Sequence, residues 1–152
     1  MKRFITPLVC LLSFAAINAQ TSSKVTMRTT AYKLFDYGRQ AVVTTTDATP
    51  LNIETIAIAT GEAGIVEVQC VGVNSAGTAT VTGSTIVRYI NNAGTITLGT
   101  ASTPLATVTD AGISGATFAV AVSGTNIVVT VTGKASTTVK WRANTRKVSV
   151  AP

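Results

Sequence analysis

Apolar and polar residues alternate in short runs from about residue 50 onward. Ile56 and Ile58 share one face of a first run, which Gly61 to Gly64 closes. Val66, Val68 and Cys70 share one face of the next, with Glu67 and Gln69 on the other. A turn at Asn74 to Gly77 leads into a long run reaching Ile90, and Asn91-Asn92-Ala93-Gly94 reads as a hairpin loop into Ile96 and Leu98. Phe118, Val120 and Val122 alternate before a loop at Ser123 to Asn126, and Ile127, Val129 and Val131 alternate on the return. In the last run Val139, Trp141 and Ala143 point inward while Lys140, Arg142 and Asn144 point out. This period of two, repeated between turn residues, predicts an all-β antiparallel sandwich or jelly-roll-like domain of seven or eight strands. Gly99 to Gly115 carries little pattern and reads as the longest connection.

The phase of the last run slips after Asn144, so that Val148 and Val150 fall in step with the outward Lys140 and Arg142. Either a bulge restores the phase or an apolar tail faces outward and requires a partner. Before residue 50 the period is lost. Thr21 to Pro50 mixes Lys24, Arg28, Lys33 and Arg39 with Tyr32, Phe35 and Tyr37, and reads as an arm of residues 20–49. Met1 to Gln20 has the form of a secretory leader: Lys2 and Arg3, an apolar run from Phe4 to Ile17, and small Ala19 before a cut. The expected organisation is a leader (1–19), an arm (20–49) and a β domain (50–152).

Composition narrows the chemistry. Charged residues make up 12% of the chain against a usual quarter, and apolar residues 46%, which excludes a disordered tail and a coiled coil. The chain has no histidine, so Ser-His-Asp, Cys-His and His-ligated zinc chemistry are all excluded. Asp36, Asp47, Glu54, Glu62, Glu67 and Asp110 are scattered, with no loop that collects oxygen ligands and no paired carboxylates in a signalled cleft. No cofactor, metal or catalytic residue is expected. Once Cys10 leaves with the leader, Cys70 is the only thiol, and its phase places it in the core. Trp141 has the phase of a core anchor.

Without Lys2 and Arg3, ten Lys and Arg face six Asp and Glu, a formal charge of +4. Lys140, Arg142, Arg146 and Lys147 cluster on and after the last strand, with Lys134 nearby. Such a stripe suits an anionic polysaccharide or lipid headgroups, and the same charges guard a terminal strand against sheet-to-sheet association. Nucleic acid fits poorly, because the nearest aromatic residue, Trp141, faces inward.

Thr45 to Val150 resembles, in pattern, a compact β domain of structural proteins of tailed bacteriophages, of the head-fibre or tail-fibre type. The resemblance rests on Thr45-Thr46-Asp47-Ala48-Thr49-Pro50 leading into Ile56-Ala57-Ile58, on Gly64-Ile65-Val66-Glu67-Val68, and on Asn91 with Ala93-Gly94-Thr95-Ile96-Thr97-Leu98. It continues through Val122-Ser123-Gly124-Thr125-Asn126-Ile127-Val128-Val129, Val131-Thr132-Gly133 and Val139-Lys140-Trp141-Arg142-Ala143, about 105 of the 152 residues in all. It implies a non-enzymatic domain on the virion surface or an appendage, often oligomeric and three-fold; the expectation built on it is a homotrimer attached to other virion proteins through its arm, with host-surface polysaccharide as a further partner. The cleavable leader departs from that context and leaves a second expectation open, a secreted bacterial surface or adhesive module.

Overall fold

The computed structural model describes residues 33–151, with side chains from residue 38 onward; the leader and the first part of the arm lie outside the described residues. Nine strands follow in order: β1 (Lys33–Thr45), β2 (Pro50–Ala57), β3 (Ala63–Asn74), β4 (Thr80–Asn92), β5 (Thr95–Leu98), β6 (Ser102–Thr109), β7 (Thr117–Ser123), β8 (Asn126–Thr132) and β9 (Val139–Ala151). A 3-10 turn, Ala111–Ile113, precedes β7. All pairings are antiparallel. The larger sheet runs β1-β9-β3-β4-β5, with β6 also on β4, and the smaller runs β2-β8-β7. The architecture is therefore the expected antiparallel sandwich.

Two apolar clusters fill the space between the sheets. One gathers Ile56, Ile58, Val66, Val68, Val87, Tyr89, Ile96, Ile127 and Val129. The other gathers Cys70, Ala79, Val81, Ile113, Ala116, Val131, Val139, Trp141 and Ala143, and Ile53 and Phe118 pack against both. Their members sit at alternate positions along each strand, so the same period that predicts the strands builds the core. Trp141 is 2% exposed and donates its Nε1–H to Thr45 Oγ1 at 2.9 Å, which satisfies the one polar atom the indole carries inward. Gly72 makes room for it, since a Cβ there would stand 2.8 Å from Trp141 Cε3 and Val81 Cγ1. Cys70 is buried, and loss of hydration pushes its thiol up to about 12, so it stays protonated and inert at neutral pH.

Three boundaries differ from the expected ones. Residues 33–45, read as part of the arm, form β1 and pair with β9 over thirteen residues without interruption. Only Thr45 is buried among the β1 side chains described, so the strand leaves little of the amphipathic signal by which a half-buried strand is recognised. Within the connection Gly99–Gly115 lies β6, an edge strand exposed over nearly its whole length. Its pairing with β4 shifts register twice, and Pro104 fits an edge because it has no N–H to give a second neighbour. The hairpin after β4 is tighter than the four residues expected. Asn91 lies inside β4 and is 1% exposed, while Ala93 (φ 51°) and Gly94 (φ 91°) alone turn the chain, as a two-residue hairpin with left-handed central positions requires.

Candidate functional site

The expected basic stripe on β9 is divided by the pleat. Pairing of β9 with β1 and β3 runs unbroken to its end, so no bulge restores the phase, and side chains alternate between the two faces from Val139 to Ala151. Lys140, Arg142, Asn144 and Arg146 are exposed on the outward face of the larger sheet. Val148 and Val150 follow them onto that face, Val150 being 38% exposed; the apolar tail does turn outward. Lys147 lies on the opposite face. Lys134, in the β8–β9 connection, gives its ammonium to the Gly112 carbonyl at 3.1 Å and stands apart from the stripe. Of the five cations, the structure thus brings Lys140, Arg142 and Arg146 together on one face.

Backbone pairing arranges that face in rows. One row is Val42, Arg142, Val71, Thr82 and Val108; the next is Gln40, Asn144, Gln69, Ser84 and Leu105. Val42 is 71% exposed, Val108 58% and Leu105 51%, values that leave their apolar surface largely in water. Two open depressions of about 500 and 550 Å³ lie on these rows and share Val71 and Arg142. The first adds Gln69, Thr82, Ser84, Leu105 and Asn144, the second Val42, Thr44, Val73 and Lys140. Amide and hydroxyl groups between apolar patches, under two cations, suit a polar anionic chain laid across the strands. Farther along the same face Ile65 is 42% exposed and Ile90 51%, beside Val148 and Val150, with the exposed Arg88 paired to Ile65 in the same row.

Lys147 instead joins a buried polar cluster between the sheets. Its Nζ donates to Glu62 Oε1 at 2.9 Å, with side-chain exposures of 14% and 5%, and to the Ala57 carbonyl at 3.4 Å. The Tyr89 hydroxyl also donates to Glu62 Oε1, and the Ala59 N–H donates to Oε2 at 3.0 Å. Burial works to raise the Glu62 carboxyl, but the hydrogen bonds from Tyr89, Lys147 and Ala59 outweigh it and hold the group below its ordinary value. Burial, then the bond to Glu62, pushes the Tyr89 phenol well above its usual range. Asn91 reaches the Ile58 carbonyl through Nδ2 at 2.9 Å. The cluster thereby ties residues 57–59, where the chain leaves β2, to β3, β4 and β9. A second ion pair, Arg39 to Glu54 at 3.1 Å, joins β1 to β2, with the glutamate side chain 3% exposed. Among the described residues, no three His, Cys, Asp or Glu gather to hold a metal ion.

No protein-family model and no curated relative matches the chain. Two solved structures align with it: the tailspike protein of Acinetobacter baumannii phage AM24 and tailspike gp49 of Acinetobacter baumannii bacteriophage Fri1, a capsular polysaccharide depolymerase. For the first, identity is 8% over 78% of this chain and 26% of that chain, at a TM-score of 0.42. For the second, identity is 8% over 76% of this chain and 18% of that chain, at 0.43. This chain thus spans about a quarter or less of those tailspikes, and likeness of this degree assigns neither activity nor ligand to it.

Proposed function

We propose that the chain is a non-enzymatic structural domain of a phage-type virion appendage, associating as a homotrimer and attached to other virion proteins through its N-terminal arm. The observation that carries this reading is the outward face of the larger sheet. It is five strand positions wide and up to thirteen residues long, about 1,000 Å² in plan, more than the roughly 800 Å² per partner of an ordinary protein interface. Its two ends call for different partners. Ile65, Ile90, Val148 and Val150 present an apolar surface around the exposed Arg88, a mixture of the kind that other copies of a chain cover. Around Lys140 and Arg142 the hydrogen-bonding depressions suit an anionic polysaccharide of the host surface. The buried carboxylates Glu54 and Glu62 are engaged by Arg39 and by Lys147 and Tyr89, which suits ties between elements better than proton transfer to a substrate.

A second reading, a secreted surface module, is favoured by the leader-like Met1 to Gln20. Mass spectrometry of particles and of cleared medium from the source culture separates the two. The virion reading expects the chain in purified particles, in a fixed ratio to their other proteins. Recovery only as free protein beginning at Gln20 would replace it with the secreted module.

A further inference from the structure

The first strand is attached to the sandwich without being needed to close it. Among the described side chains, those of residues 38–45, none belongs to either apolar cluster, and Val43 packs against the second from outside. Gly38, Arg39, Gln40, Val42 and Thr44 are exposed. A backbone ladder to β9 holds β1, and the Trp141–Thr45 hydrogen bond and the Arg39–Glu54 pair add to it. A backbone ladder does not depend on which copy supplies the strand. The connection to β2 is four residues, Thr46–Thr49, held by the Thr49 N–H on Asp47 Oδ1 at 2.7 Å. Opening that short turn carries β1 away whole and exposes a β9 edge thirteen residues long; the Trp141–Thr45 hydrogen bond and the Arg39–Glu54 pair that it breaks are remade when the β1 of another copy takes the same place.

We infer that β1 is exchanged between copies, so that the β9 edge of each sandwich takes the β1 of its neighbour. This rests on the self-association proposed above and names the contact that makes it. Head-to-tail exchange closes into a ring, which accommodates three copies, and it turns an intramolecular ladder into an interchain one. The Arg39–Glu54 pair then joins two chains, and Thr45 of one copy receives the indole N–H of the next.

Gln40 and Asn144 face each other across β1 and β9 and are both exposed, which makes them suitable sites for cysteine. The test uses the full chain carrying Cys10→Ser, with the buried Cys70 left in place. Gln40→Cys and Asn144→Cys variants are co-expressed and oxidised, and a doubly substituted chain is treated in parallel. Exchange predicts a covalent pair of chains from the co-expressed variants and a covalent ring from the double variant on a non-reducing gel. Single chains closed by an internal disulfide, with no covalent pair from the mixture, would overturn it. Light scattering on the same double variant separates the two claims. A trimer of internally closed chains defeats exchange and leaves self-association standing, whereas a monomer defeats both.

Discussion

Trp141→Ala is expected to destabilise the domain by about 3 to 5 kcal/mol, the usual cost of removing a fully buried indole. The side chain is 2% exposed, it packs in the second apolar cluster, and the neighbouring Gly72 has no side chain of its own to offer the vacated space. The loss corresponds to a fall in melting temperature of roughly 10 to 20 °C for a domain of this size. Trp141→Phe keeps most of the apolar contact and gives up the donation to Thr45, so about 1 to 2 kcal/mol is expected. Thermal melting followed by circular dichroism measures both. An unchanged midpoint for the alanine variant would place the indole outside the core.

Glu62→Ala carries a comparable penalty by another route. It leaves the Lys147 ammonium, whose side chain is 14% exposed, without its counter-charge, and the Tyr89 hydroxyl without its acceptor. Breaking one side of such a pair costs about 3 to 5 kcal/mol. Adding Lys147→Met should recover a substantial part, because the uncompensated charge is then gone. The same carboxylate makes the protein acid-sensitive. Its folded-state pKa lies below the ordinary value of 4.5, so the unfolded chain takes up its proton first as pH falls. The stabilisation is therefore complete above that value and is lost as pH drops through it toward the folded pKa. Denaturant midpoints between pH 7 and pH 3 should fall for the native sequence and fall less for Glu62→Ala with Lys147→Met; parallel slopes would remove Glu62 as the cause.

Strands that bury one face were legible because burial writes the period into the sequence. Val66, Val68 and Cys70, or Val139, Trp141 and Ala143, can alternate with polar neighbours only on a half-buried strand. The edge strand β6, and β1 over its described side chains, bury too little to leave that mark, and they pair through backbone atoms that carry no sequence signal. Grouping Lys147 with Arg146 followed nearness in the chain, whereas counting by twos from Trp141 places Lys147 on the inner face. By spacing alone Glu62 reads as one of several scattered carboxylates. It stands in phase with Val66, Val68 and Cys70, and a charged residue in phase with the core calls for a buried partner. That signal was present. Its partners, Tyr89 and Lys147, follow from the strand order β9-β3-β4, which no local pattern contains.

Self-association is the central claim, and the mass of the protein in solution tests it most directly. Light scattering on protein beginning at Gln20, at tens of micromolar, is expected to give three times the chain mass, and removal of residues 20–49 is expected to return it to one. A single-chain mass for the undeleted protein at that concentration would contradict the account.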